Sequence, residues 1–223
     1  MIISKAYKNI LLIKPVTSLG LLNFFTILII LLTKFCLITD ELYYQSLDEK
    51  FSIDQITQLL NVQSKYEFAS YILLVTFNLL KYGCITLILY IGIIIFGLKV
   101  KFNNVLKVVI LAEFIFLIPL VLKFFWFYFF QSNYTLEDLQ FFYPFSLLNI
   151  FDTGTISQIW VYPLQLLNIF EVIYWFFLAF GIKQLINSDF DKSLRLVLSS
   201  YLPAMLLWVV FIMFLTVTLN PNI

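Results

Sequence analysis

Long runs of apolar residues, separated by shorter polar connections, dominate this sequence. A helix that crosses a bilayer needs about 20 mostly apolar residues, and five stretches meet that requirement. They lie near 16–38, 70–98, 104–130, 158–181 and 196–217. The pattern predicts an all-α polytopic membrane protein with a single membrane domain, 1–223. We expect a bundle of five transmembrane helices, with short interfacial helices in outer loops at 39–69 and 131–157.

Composition and charge add an orientation to this fold. At 62% hydrophobic residues the chain is too apolar for a soluble domain. Most of its 14 Lys and Arg lie in the N-terminal arm and in the connections 99–107 and 182–195, which share one side of a five-span bundle. Because basic residues in short loops favour the cytoplasm, we expect the N-terminus inside and the C-terminus outside. The first span lacks a small-residue cleavage site and is expected to remain as a membrane helix.

The composition also indicates the type of organism and the partners to expect. Lys far outnumbers Arg, and Ile, Asn and Phe are abundant, which is typical of an AT-rich coding sequence. We interpret this as a bacterial protein of the inner membrane, with the lipid bilayer as its first partner. The net charge of +1 and the absence of a large basic cluster give no reason to expect nucleic-acid binding.

Two local motifs lie between the predicted spans. Ser52-Ile53-Asp54-Gln55 has the pattern of a helix-capping box and predicts a short surface helix after it. Further on, residues 143–152 are echoed by 162–171 with seven identities in ten positions. The Pro in each copy suits a first helical turn. One interpretation makes the first copy, 144–152, a re-entrant or interfacial half-helix beside the fourth span; the other treats the echo as chance in a Leu/Phe/Ile-rich background.

Ionisable and amide side chains within spans are the default functional candidates, because they are costly in lipid. Glu113 lies in the third span, before a kink predicted at Pro119. Lys81 lies in the second span, three residues after Asn78 and on the same helical face. The fourth span carries a polar stripe at intervals of three residues, and it should face other helices. The predicted intramembrane polar site is Glu171, Asn168, Gln165, Glu113 and Lys81.

Two roles fit this polar site. Glu171, with Glu113 or Lys81, could form a site that responds to protons or ions. Alternatively, the carboxyls hold helices together by hydrogen bonds to Asn, Tyr or Ser. The second interpretation is favoured here, and Glu171 is the residue expected to matter in either case.

Catalytic and cofactor motifs are missing from the sequence. The chain has no histidine, which removes the usual zinc sites, catalytic triads and haem ligands. Cys36 and Cys84 lack the spacing of a metal or redox pair. We expect two free thiols, although a disulfide between them is conceivable. We therefore predict no enzyme activity, no cofactor and no metal.

Short segments resemble the Yip1-type family of five-span membrane proteins. Leu98-Lys99-Val100-Lys101-Phe102, leading into residues 108–113, is similar to that family's cytoplasmic entry to its third helix. Tyr201-Leu202-Pro203 is similar to its helix-interrupting Tyr-x-Pro region. The chain departs from the family in its long 39–69 loop and in lacking a cytoplasmic N-terminal domain. The resemblance implies a non-enzymatic accessory or scaffold role and supplies no catalytic residue.

The resulting hypothesis is a non-catalytic accessory or scaffold subunit of a larger inner-membrane assembly, with other membrane subunits as partners. The alternative is a small transporter or channel subunit that uses Glu171 and Glu113, in which a homo-oligomer could line a pore. Five spans cannot divide into two equal inverted halves, which is the common transporter plan.

Overall fold

Helices make up most of the computed structural model, which describes residues 14–151 and 156–219. Within these ranges, five helices are long and apolar enough to cross a membrane. They are Pro15–Leu37, Ile53–Ile95, Phe102–Phe130, Ile169–Ile186 and Phe190–Leu219. The prediction of an all-α, multi-pass membrane protein is confirmed.

We number the α-helices of these ranges in chain order. They are α1 (Pro15–Leu37), α2 (Asp40–Leu47), α3 (Ile53–Ile95), α4 (Phe102–Glu113), α5 (Leu117–Phe125), α6 (Leu136–Phe141), α7 (Gln158–Leu166), α8 (Ile169–Ile186) and α9 (Phe190–Leu219). The third span combines α4 and α5 with a 3₁₀ turn between them, Phe114–Phe116, and a π-helical turn after them, Trp126–Phe130. Pro119 lies three residues beyond the 3₁₀ turn, so the irregularity expected near this proline begins just before it.

The second span is a longer helix than the sequence predicts. The capping box is present: Ser52 Oγ accepts the Gln55 N–H at 3.4 Å, and Gln55 Oε1 accepts the Ser52 N–H at 2.9 Å. However, the helix that begins there continues for 43 residues to Ile95. The expectation that the helix after the capping box is short was wrong, because no Gly or Pro interrupts the chain between Ile53 and Tyr82. The short helix within 39–69 is α2, which precedes the capping box.

The fourth span predicted over 158–181 is interrupted, and the helix long enough to cross the membrane there is Ile169–Ile186. α7 ends at Leu166 and α8 begins at Ile169. Asn168 causes the break, because its backbone is extended and its side chain bonds in both directions. Its Oδ1 accepts the Glu171 N–H at 2.9 Å, and its Nδ2 donates to the carbonyls of Gln165 and Leu166 at 2.9 and 3.0 Å. It therefore caps α8 and satisfies the last carbonyls of α7.

The first copy of the echoed motif packs against this break in the second copy. The Leu147 N–H donates to the Leu167 carbonyl at 3.0 Å, and the Ile169 N–H donates to the Phe145 carbonyl at 3.3 Å. The segment thus lies beside the fourth span, but it forms a 3₁₀ turn of only four residues, Leu147–Ile150, in place of a half-helix. Asp152 lies outside the described residues.

The prolines of the echo take different positions from those expected. Pro163 lies inside α7, because that helix already starts at Gln158. Pro144 lies in a turn before the 3₁₀ segment. Neither proline occupies a first helical turn, so the shared motif does not specify a shared local structure.

The main apolar core joins α3, α4, α8 and α9. Its fully buried members include Leu89, Val108, Leu178 and Val197. A smaller cluster at the other end of the bundle contains Leu37, Leu42, Phe127 and Leu139, so it connects α1 and α2 to the π-helical turn and α6.

Candidate functional site

A buried ion pair joins the second and third spans. Lys81 Nζ lies 2.7 Å from Glu113 Oε2, and the other oxygen of Glu113 accepts the Tyr174 hydroxyl at 3.0 Å. The Glu113 side chain is 3% exposed, whereas that of Lys81 is 48% exposed. The Lys81 ammonium also lies 4.9 Å from the centre of the Phe116 ring, within cation–π range. Glu113 is thus held by a cation and a neutral donor.

A second buried carboxyl, Glu171, lies in the first turn of α8 and is held differently. Its Oε1 accepts the Trp175 indole N–H at 3.0 Å and the Tyr201 hydroxyl at 2.9 Å. Glu171 is only 4% exposed. The ion pairs among the described residues do not include it. Its position in the first helical turn places it at the positive end of the α8 dipole, which favours a carboxyl there.

Aromatic rings connect the two carboxyls into one cluster. The Tyr174 and Tyr201 ring centres are 5.6 Å apart, and the Phe116 ring packs on Tyr174 at 4.9 Å. Each tyrosine donates its hydroxyl to one of the two carboxyls. We call the set Lys81, Glu113, Glu171, Tyr174, Trp175 and Tyr201 the carboxyl cluster.

The carboxyl cluster lies at membrane depth in the bundle. At 1.5 Å per residue, Lys81 is about 21 Å from Ile95 along α3, and Glu113 is about 17 Å from Phe102. Glu171 is about 22 Å from Ile186 along α8. The three residues therefore lie at similar heights, well within the length of a bilayer core of about 30 Å.

Two of the predicted site residues do not join the cluster. Asn168 serves as the helix cap described above. Gln165 lies before the break and donates to the Gln140 and Phe141 carbonyls at 3.4 and 3.5 Å. The expected polar stripe of Gln165, Asn168 and Glu171 is not formed, because the helix breaks between its members. Lys81, Glu113 and Glu171 are the predicted residues that the fold brings together.

The sequence reasoning missed the aromatic donors of the cluster. Trp175 follows Glu171 by four residues, a spacing at which helical neighbours can meet, whereas Tyr174 donates to Glu113 on another helix. The local signal for Trp175 was available. Tyr201 comes from α9, and no spacing in the sequence connects it with Glu171.

Tyr143, in the connection before the fourth span, lies near the cluster from outside the spanning helices. It packs against the main core. Burial raises the pKa of its hydroxyl, and the charges of Glu171 and Glu113 raise that pKa further. The hydroxyl of Tyr143 therefore stays protonated at neutral pH.

A second polar contact joins the first two spans. Asn78 Nδ2 donates to Asn23 Oδ1 at 3.0 Å, and Asn23 Nδ2 in turn donates to the Leu19 carbonyl at 3.0 Å. Nearer the other end of these helices, Lys34 Nζ lies 2.6 Å from Glu67 Oε1. Both contacts were absent from the predicted site.

The part of the chain that the structure describes contains neither a candidate metal site nor a disulfide. That part holds no group of three or more His, Cys, Asp or Glu that could bind a metal ion. Cys36 and Cys84 are free and exposed. A surface cavity of about 510 Å³ is lined by the C-terminal part of α3 and the connection that follows it, and one of about 130 Å³ lies beside the π-helical turn. Neither is lined by a residue of the carboxyl cluster.

In comparisons with protein-family models, with curated proteins and with solved structures, no match to this chain is found. The fold defines the class as a multi-pass membrane protein, with five candidate spanning helices in the described part of the chain.

Proposed function

We propose that this protein is a non-catalytic accessory or scaffold subunit of a larger assembly in a bacterial inner membrane. The observation that supports the proposal is that both carboxyls of the carboxyl cluster already have hydrogen-bond partners within the chain. Glu113 is occupied by Lys81 and Tyr174, and Glu171 by Trp175 and Tyr201. Polar groups that satisfy one another across four helices fix the packing of a bundle in lipid. A cluster of this kind supports a structural role better than a site that exchanges ligands.

The outer surface of the bundle supports a role in assembly. Only 6% of the residues in an 18-residue apolar stretch of α9 are buried within the chain, although the helix runs for 30 residues. Leu207 and Phe211 are 72% and 48% exposed on it. A surface of large aliphatic and aromatic side chains suits both lipid and the helices of another subunit. The partner is then either a different membrane protein or a second copy of this chain.

The proposal includes the orientation of the chain in the membrane and its resemblance to Yip1-type proteins. The Lys- and Arg-rich connections at 99–107 and 182–195 favour a cytoplasmic N-terminus and an outer C-terminus. The resemblance to Yip1-type proteins at residues 98–102 and 201–203 is compatible with an accessory role without catalysis.

The experiment is purification of the full chain from its native host in mild detergent, with quantification of the proteins that accompany it. The expected result is one or more membrane proteins in fixed stoichiometry with the chain. The double variant Leu207→Ala with Phe211→Ala should weaken that association. A matched change on α3, Ile72→Ala with Leu73→Ala, should leave it intact. A chain that purifies alone and moves ions in liposomes would contradict the proposal.

A small transporter or channel subunit is the second candidate, and the break in the fourth span favours it. Transporters often place their sites at discontinuous helices near the membrane centre, and Glu171 lies in the first turn after such a break. This candidate predicts that Glu171→Gln abolishes flux in liposomes, because the amide cannot exchange a proton. The amide still accepts from Trp175 and Tyr201, so the fold should persist. Unchanged flux in Glu171→Gln would exclude a proton-exchanging Glu171.

A further inference from the structure

The connection between α3 and α4 contains a surface cavity that the function proposed above does not use. Its volume is about 510 Å³, and its lining includes Tyr90, Ile94, Leu98, Lys99 and Lys101. It lies at the end of the bundle where α3 stops at Ile95 and α4 begins at Phe102. A cavity at the end of two apolar spanning helices is adjacent to the headgroup layer of the membrane.

The chain presents two lysines to this cavity on the same side. Leu98 and Val100 pack against the main core, while Lys99 and Lys101 are exposed. This alternation is that of an extended segment, and Lys101 has extended backbone angles. Alternate residues of an extended segment are about 7 Å apart and project to the same face. Two ammonium groups can therefore reach one phosphate group together.

The charge of these lysines is not neutralised within the described part of the chain. The ion pairs there join Lys34, Lys50 and Lys81 to carboxylates and involve neither Lys99 nor Lys101. The first turn of α4 holds no acidic residue. The sequence from 96 to 112 contains no Asp or Glu. The residues that line the cavity therefore include two lysines and no acidic residue.

The remaining walls of the cavity suit a lipid. Ile94 is exposed, while Leu98 and Val100 continue the apolar surface toward the core. Tyr90 packs its ring edge against Phe102, with centres 5.5 Å apart. Tyrosine at a membrane interface combines an apolar ring with a polar hydroxyl. Basic pockets between spanning helices are sites for anionic lipid headgroups.

We propose that the cavity at the α3–α4 connection binds the phosphate-bearing headgroup of an anionic phospholipid, with Lys99 and Lys101 on the phosphate and Ile94 and Tyr90 beside the lipid. The site is separate from the carboxyl cluster, and it holds whether or not the chain belongs to a larger assembly.

Native mass spectrometry of the full chain, released from mild detergent, tests the site. The probes are cardiolipin, phosphatidylglycerol and phosphatidylcholine, each titrated separately. We expect the two anionic lipids to bind more tightly than phosphatidylcholine. Lys99→Gln with Lys101→Gln should weaken anionic-lipid binding about thirtyfold, given the contribution of each lysine near an anionic surface.

Two further variants separate this site from general basic charge. Lys183→Gln with Lys192→Gln removes the same charge from the other basic connection and should leave lipid binding unchanged. Ile94→Trp keeps both lysines but fills the cavity, and it should weaken binding as well. Equal losses in the Lys99/Lys101 and Lys183/Lys192 variants would overturn the proposal.

Inorganic phosphate distinguishes a lipid headgroup from a free anion. Millimolar phosphate should compete poorly, because it lacks the acyl chains that contact Ile94. Effective competition by phosphate, without a preference for anionic lipids, would overturn the assignment to a lipid.

Discussion

The two parts of α3 belong to one continuous helix but have very different surroundings. In the part from 53 to 80, Ile56 is the buried residue. In the part from 81 to 95, the helix packs against α4 and α9, and its buried residues are Tyr82, Ile85, Thr86, Leu89, Gly92 and Ile93. Residues 53–69 are mostly polar, but 70–80 are about as apolar as 81–95. Because lipid tails are as apolar as leucine, hydropathy does not distinguish the exposed stretch 70–80 from the packed stretch 81–95.

What differs between the two parts is the type of contact. Polar bridges connect the first part to its neighbours: Glu67 meets Lys34, and Asn78 meets Asn23. The second part packs tightly, and a Cβ built on Gly92 would lie 2.7 Å from Ser200 Cβ. Lys81 marks the boundary between them. Small and polar residues, rather than large apolar ones, therefore indicate how a membrane helix is held.

The largest effect should come from the boundary residue. We expect Lys81→Met to destabilise the fold by about 3 kcal/mol, because it leaves the buried Glu113 carboxyl without its cation. The measurement is unfolding in an SDS titration, followed by circular dichroism. Lys65→Met, at an exposed lysine of the first part, should change the unfolding free energy by less than about 0.5 kcal/mol.

A double variant checks the reason for that effect. Adding Glu113→Leu to Lys81→Met removes the unpaired carboxyl and should restore most of the lost stability. If Lys81→Met and Lys65→Met behave alike, the ion pair does not define the boundary of the packed part.

The next effect concerns the tight contact of α3 with α9. Gly92→Ala should cost about 2 kcal/mol, because the new methyl group overlaps Ser200. Gly83→Ala, on the same helix, meets nothing within 4 Å and should stabilise the helix by up to about 1 kcal/mol. The same SDS titration compares them. Adding Ser200→Gly to Gly92→Ala should recover stability, and equal responses at the two glycines would contradict the close packing.

The sequence was sufficient for the features that depend on short stretches. Span length and composition predicted five membrane helices, and Ser52 and Gln55 predicted a helix start that the structure confirms. The end of that helix was missed, because an exposed start does not determine how far a helix without Gly or Pro continues.

The candidate site was only partly predictable, because its contacts join separate helices. Burial cost identified Glu113 and Glu171 as unusual residues in apolar spans. Their partners Lys81, Tyr174 and Tyr201 come from α3, α8 and α9. No periodicity within one helix encodes such pairing. The break at Asn168 was missed for a related reason: a polar residue every three positions fits both a continuous stripe and a helix cap.

The smallest effect tests the polar bridges of the first part of α3. Asn78→Leu should cost about 1 kcal/mol, because it leaves the Oδ1 of Asn23 without its donor in a residue that is 6% exposed. Thr76→Val is the matched control, since the Thr76 hydroxyl donates only to the Ile72 carbonyl of its own helix. The SDS titration should show little change for Thr76→Val. If Asn78→Leu also leaves the unfolding free energy unchanged, α1 and α3 are held together by apolar contact alone. The distinction between a bridged part and a packed part of α3 then fails.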